Sequence, residues 1–209
     1  MSGLSGGRIK EGELLRRLRA GDEHAFGSLV AALQGSLRAV AIGIVHNHAT
    51  ADEIVQETWL AVIEHIGSFD GRSSVKNWVF AILTNKARTR ARRDGRTTAL
   101  EDPGNAGEAG PAVAPDRFDA AGSWTSPPAL WDEITPERVV GGREMLAHVN
   151  QAIEALPAAQ KAVLMMVEDA GLDQREAAAL LGIEPNHLRV LLHRARASIR
   201  ASIAGLLGE

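Results

Sequence analysis

The sequence predicts an all-α protein: two helical domains joined by an acidic Pro/Gly-rich linker. Three observations carry that prediction. Aromatics make up 4% of the 209 residues and Tyr is absent, while Ala, Leu and Arg abound, a composition suited to helices rather than pleated sheets. Apolar residues recur at three- and four-residue steps through two blocks, and no stretch alternates with a period of two. Six of the eight prolines (Pro103, Pro111, Pro115, Pro127, Pro128 and Pro136) fall between residues 97 and 142, among Gly, Ala and acid, where no helical period survives. The expected division is a first domain over 11–96, a linker over 97–142 and a second domain over 143–206. Phe118, Trp124 and Trp131 are large for a plain tether and are expected either to cover surfaces of the flanking domains or to dock into a partner's channel.

In the first block, Asp22 is placed to cap a helix carrying Phe26, Leu29, Val30, Leu33, Leu37, Val40 and Ile44. Thr50 with Glu53 has capping-box spacing, ahead of a Val55, Trp59, Val62, Ile66 stripe. The run Gly67-Ser68-Phe69-Asp70-Gly71-Arg72 reads as a turn. Ser73 or Ser74 then caps a helix whose Val75, Trp78, Val79, Ile82 and Leu83 face inward. In the second block, Met145, Leu146, Val149, Ile153 and Leu156 mark one helix, and Pro157 suits the first position of the next, which ends near Gly171. Asp173 and Glu176 open a short helix closed by Leu181-Gly182, and Pro185 opens the last, with Leu188, Leu192, Ala195, Ile199 and Ile203 inward. A short helix, a Gly turn and an Arg-rich helix form a helix-turn-helix pattern.

Composition excludes several classes of function. With no Cys there are no disulfides, thiolate metal sites or thiol nucleophiles. The start MSGLSGGRIK lacks an apolar signal core, and no apolar run approaches the ~18–20 residues that span a bilayer, so a cytoplasmic protein without membrane insertion is expected. His46 and His48 are two apart and would point to different helix faces; no Gly-rich phosphate loop or GxSxG motif occurs. No enzyme activity, metal or cofactor is expected.

The net charge of −3 hides a strong asymmetry. Residues 86–96 hold six bases (Lys86, Arg88, Arg90, Arg92, Arg93 and Arg96) against Asp94 alone, the stretch 97–142 holds eight acids and two bases, and 185–208 holds four Arg, two His and no acid. At ~100° per residue, Asn186, Arg189, Val190, His193 and Arg200 share one face of the last helix, opposite its leucines. That division suits a helix entering the major groove. Arg189 can bond a guanine edge or a phosphate, Asn186 an adenine, and Arg194 and Arg196 suit flanking phosphates. Lys86, Arg90 and Arg93 would share one face of their helix and Arg88 and Arg92 another, beside Trp78 and Phe80 as surfaces for an unstacked base. Glu53, Glu57 and Glu64 lie within ~40° of one another, either as an ordinary solvated face or as a face for a basic partner.

These motifs resemble the extracytoplasmic-function (group IV) sigma factors of bacterial RNA polymerase, within the sigma-70 family, over about residues 11–96 and 143–204. Ala51-Asp52-Glu53-Ile54-Val55-Gln56-Glu57-Thr58-Trp59 is similar to the helix that docks on the coiled coil of the polymerase's largest subunit, which implies core-polymerase contacts for Asp52, Glu53, Gln56 and Glu57. Phe69-Asp70-Gly71-Arg72 and the helix after it resemble the part that opens the minus-ten element. That implies DNA contacts for Phe69, Asp70, Arg72, Asn77, Trp78, Asn85, Lys86, Arg88 and Arg92. Leu156-Pro157, Gly171-Leu172, Ala177–Ile183 and His193-Arg194-Ala195-Arg196 are similar to the minus-thirty-five domain, implying contacts for Asn186, His187, Arg189, Val190, His193, Arg194 and Arg196. Val190 and Leu191 stand where the family often carries Ser and Arg, so a thymine methyl suits Val190 better than a hydrogen-bonded base. By the same resemblance the linker acids Asp116, Asp119, Asp132 and Glu133 would lie in a basic channel of the polymerase.

The resemblance thus implies core polymerase and promoter DNA as partners, an anti-sigma factor as a further candidate partner, and no catalysis by this chain. A stand-alone helix-turn-helix regulator explains residues 172–200 but leaves the acidic helix and the Trp78–Arg96 segment idle. A protein-interaction adaptor explains the acidic face but neither basic patch.

Overall fold

The computed structural model of the chain describes residues 11–95, 100 and 142–207, and among them every regular element is a helix. The linker's aromatic and acidic residues named above, and Arg96, lie outside the described residues. A short helix α1 (Glu11–Arg19) precedes the first expected one and packs through Leu14, Leu15 and Leu18, whose spacing already carries a helical stripe.

The long α2 (Glu23–Val45) starts at Asp22, whose carboxylate accepts from the backbone N–H groups of His24 and Ala25, both at 3.0 Å. Arg17 binds the same carboxylate at 2.7 Å. The Arg17 hydrogen bond first and the Ala25 N–H second pull the Asp22 carboxyl down to about 2. α2 ends at His46, in the left-handed region at φ 52°, with its N–H returned to Ile42 O. α3 (His48–His65) is capped by Asn47, which accepts from Thr50 N at 2.9 Å. The expected Thr50/Glu53 box therefore does not start this helix; an Asx cap three residues earlier does, and Thr50 lies in the first turn. α4 (Val75–Arg93) starts at Ser74, which accepts from Asn77 N at 3.1 Å.

In the second half, α5 (Gly142–Glu154) begins one residue inside the expected linker. α6 (Ala158–Leu164) has Pro157 just before its first helical residue, not at that position. It runs on into one π-helical turn, Met165–Asp169, before Gly171 breaks the chain at φ +72°. α7 (Gln174–Leu181) is capped by Asp173 and closed by the left-handed Gly182, and α8 (Pro185–Leu207) follows.

α2 organises the interior. It packs on α3 and α4 in its own half and, more extensively than any other pair, on α6 of the second half, with further contact to the π turn. The buried apolar residues accordingly form one cluster running from Leu18 through Phe80 to Ala195, rather than two separate cores. Contrary to the sequence expectation, α2 is by length and composition long and apolar enough to cross a bilayer. Its apolar character has another use here, since Leu33, Leu37, Val40, Ala41 and Val45 are fully buried within the protein. Gly43 lets α6 approach α2 closely: a Cβ there would stand 2.9 Å from Ala162 Cβ and 3.3 Å from Ala158 O.

Phe80, fully buried in this core, is not the exposed stacking surface that its sequence position suggested; it follows Val79 on the inner face of α4. Replacing it tests the packing. Phe80→Ala should cost about 3–5 kcal/mol in denaturant unfolding, and a loss under about 1 kcal/mol would contradict the buried placement.

Candidate nucleic-acid interface

α3 and α4 together present the first surface. Their facing sides are laced by ion pairs, Arg90 with Glu53 at 3.0 Å and Lys86 with Glu57 at 3.4 Å, and Arg90 also meets Asp94, the cap of its own helix, at 3.7 Å. Asp52 takes Arg38 of α2 at 2.6 Å, and that hydrogen bond first lowers the Asp52 carboxyl below its usual range. Three of the four expected polymerase-contacting residues are thus held by bases of their own domain, while Gln56 is exposed. These half-exposed pairs fix side-chain positions more than they stabilise.

Periodicity did not single out Leu60 and Ile63, which are 60% and 56% exposed. At ~100° per residue they fall within ~60° of Gln56, beside the arc of Glu53, Glu57 and Glu64. The signal was present in the sequence, because both lie off the inward Val55, Trp59, Val62 stripe. Trp59 itself is fixed inside, edge-on to Phe26 with centroids 5.7 Å apart and its indole N–H donating to Gln34 at 2.7 Å.

The turn before α4 is built by short-range polar contacts. Asp70 accepts from Arg72 N at 3.0 Å and pairs with the Arg72 guanidinium. The backbone bond first and the guanidinium second lower the Asp70 carboxyl. Arg19 of α1 donates to Phe69 O, and Glu11 accepts from Val75 N, so α1 ties down both ends of the turn. Phe69 was expected among the DNA-contacting residues, but it is buried and stacked on Trp78, with centroids 4.7 Å apart and planes 23° from parallel. It therefore supports the half-buried Trp78 instead of offering its own ring. Asp70, Arg72, Asn85 and Arg92 are exposed, and Asn77 is half-buried.

Arg88 lies on the other side of α4. Its guanidinium donates to Leu180 O, at the end of α7, over 2.7 Å; burial first, and Arg92 second, lower its pKa. Lys76, which the sequence did not single out, donates to Ala170 O at 2.8 Å. The two faces of α4 inferred from the sequence are thus real, but one is paired with α3 and the other with the second half of the chain.

The helix-turn-helix surface comprises α7, the Gly182 turn and α8. Leu188, Leu191, Leu192 and Ala195 seat α8, and Asn186, Arg189 and Val190 are exposed near its N-terminus. That is the arrangement a groove-reading helix requires. His187, His193, Arg194 and Arg196 are half-buried; Arg196 pairs with Glu168, and His187 Nε2 lies 3.4 Å from Leu100 O. Burial lowers the His193 pKa most, followed by the charges of Arg200, Arg196 and Arg194. Among the described residues no cluster of His, Asp and Glu suits a metal ion.

The family models for sigma-70 region 2 and sigma-70 region 4 match residues 29–97 and 147–199. RNA polymerase sigma factor NccH of Alcaligenes xylosoxydans xylosoxydans is 30% identical, over 90% of this chain and 91% of its own. RNA polymerase sigma-H factor of Pseudomonas aeruginosa is 27% identical, over 94% and 95%. Among solved structures, CnrH in complex with the cytosolic domain of CnrY is 22% identical, covering 93% of this chain and 97% of that one at a TM-score of 0.45.

The His193 environment sets a pH dependence. A histidine whose folded pKa lies below 6.5 costs nothing above that value, where both states are neutral. Below it the unfolded chain takes the proton first, so stability falls as pH drops through ~6.5. The unfolding midpoint should therefore decline between pH 7 and 5, and less so in His193→Gln. Equal declines in both proteins would contradict this placement.

Proposed function

The chain belongs to the extracytoplasmic-function sigma factors of the sigma-70 family, which bind core RNA polymerase and direct it to promoters, and we propose that it does so through three separate surfaces. The α3 face of Asp52, Glu53, Gln56 and Glu57 takes the polymerase. The α4 region (Phe69, Asp70, Arg72, Asn77, Trp78, Asn85, Lys86, Arg88 and Arg92) serves the minus-ten element, with Phe69 acting as a support for Trp78. The α8 face of Asn186, His187, Arg189, Val190, His193, Arg194 and Arg196 serves the minus-thirty-five element.

The observation that carries this reading is an acidic face and two basic faces on one helical frame. A stand-alone regulator has no use for the first. In this division the chain positions DNA and polymerase and catalyses nothing itself, with phosphate contacts holding the register and Arg189 and Asn186 reading bases. Opening the minus-ten element requires a base to leave the stack, at a cost of a few kcal/mol that stacking and a basic groove offset. Work on core polymerase and promoters sets the protein in the bacterial cytoplasm. CnrH is seen with CnrY and another neighbour, the sigma factor RpoE of Bartonella quintana, with the anti-sigma factor NepR. An anti-sigma factor is accordingly a partner to test here.

The test is transcription from a genomic promoter pool by core polymerase with and without the protein. New defined start sites should appear only with it. Arg189→Ala should relax preference at one minus-thirty-five position by roughly tenfold to a hundredfold. Sequence-specific promoter binding by the isolated chain, with no effect on core polymerase, would instead favour the stand-alone regulator.

A further inference from the structure

The turn before α4 is framed by a helix that none of the three surfaces uses. α1 (Glu11–Arg19) is ~12 Å from its first residue to its last. Three of its side chains meet three points of the turn. Glu11 accepts from Val75 N at the exit, and Arg19 donates to Phe69 O at the entry. Between them, Leu15 Cδ2 lies 3.5 Å from where a Gly71 Cβ would stand, at the tip. Positions 11, 15 and 19 recur at four-residue steps, so they share one side of α1.

Each contact supplies something that the turn cannot supply for itself. The Val75 N–H is the first of α4 and has no acceptor within that helix. Ser74 takes the Asn77 N–H, so Glu11 provides a second acceptor and sets a carboxylate at the positive end of α4. Gly71 reverses the chain at φ +75° and rests against Leu15. Arg19 fixes the Phe69 carbonyl, and Phe69 carries the ring that stacks on Trp78. Asp70, Gly71, Arg72 and Ser73 are exposed between these anchors.

We propose that Glu11 and Arg19 are positioning residues for promoter opening: without touching DNA, they hold residues 70–74 in the shape that receives an unstacked minus-ten base. The proposal rests on reading the turn and α4 as the minus-ten surface. Taking a base out of the stack costs a few kcal/mol, and ordering a loose loop at the same moment would add to that cost. With both ends anchored on a helix, the loop is ordered when the protein folds and not at the promoter. The Asp70–Arg72 pair cannot do this alone, since it joins residues two apart and moves with the turn.

Glu11 and Arg19 are both exposed, so Glu11→Ala and Arg19→Ala leave the buried core intact. The assay uses the full chain, core polymerase and a promoter that the wild-type protein selects. Each variant should lower the yield of open complex by roughly threefold to tenfold, the worth of one hydrogen bond. Base preference at one minus-ten position should flatten, while core affinity and minus-thirty-five preference stay at wild-type levels. Glu11→Gln keeps an acceptor for Val75 N and should restore both yield and preference. In the free protein, amide hydrogen exchange over residues 69–75 should rise in both alanine variants. Wild-type yield and base preference in the Glu11→Ala/Arg19→Ala double variant would overturn the proposal, as would unchanged exchange over 69–75. Equal losses of core affinity and minus-thirty-five preference would also overturn it, because they mark a general loss of fold. If the wild-type protein directs core polymerase to no promoter, the sigma-factor reading itself fails and takes this role of α1 with it.

Discussion

The whole structure depends on one helix being used from both halves of the chain. α2 lies against α3 and α4 and also against α6, and this requires it to be apolar around most of its circumference and to carry no side chain at Gly43. The same constraint explains the length and hydropathy of this helix, because much of its apolar surface is covered by protein. It also explains why the buried cluster is continuous across a sequence that reads as two domains.

Electrostatics is organised around the same frame. Opposite charges are paired locally: Glu53 with Arg90, Glu57 with Lys86, Asp52 with Arg38 and Glu168 with Arg196. Bases suited to nucleic acid are thus partly satisfied within the protein, which fits a factor that should not bind random DNA before it meets its polymerase. The π turn contributes to this arrangement as well. By lengthening the end of α6 it places Asp169 and the Ala170 carbonyl beside α2 and α4.

Much of this was legible locally. Helix caps at Asp22, Ser74 and Asp173 and the stop at Gly182 follow from side-chain chemistry within three residues, and the sequence carries them openly. The Asn47 cap is masked in the sequence because Thr50 and Glu53 offer an equally good local pattern. What the sequence did not disclose is tertiary. Whether Phe69 faces DNA or Trp78, whether Phe80 is inside, and whether Arg88 is met by a carbonyl of α7 depend on elements distant in the chain. Leu100 is the clearest instance: it sits in a Pro/Gly-rich segment without period, yet is buried against Gly43. The candidate site was correspondingly legible as residue types on helix faces, and illegible as to which of those faces are already occupied.

The most direct measurement of the central claim, that α2 joins both halves into one body, is small-angle X-ray scattering of the free protein. One body predicts a radius of gyration of about 17–19 Å. Two independent units separated by a coil of this length would give more than about 23 Å, and that result would contradict the account.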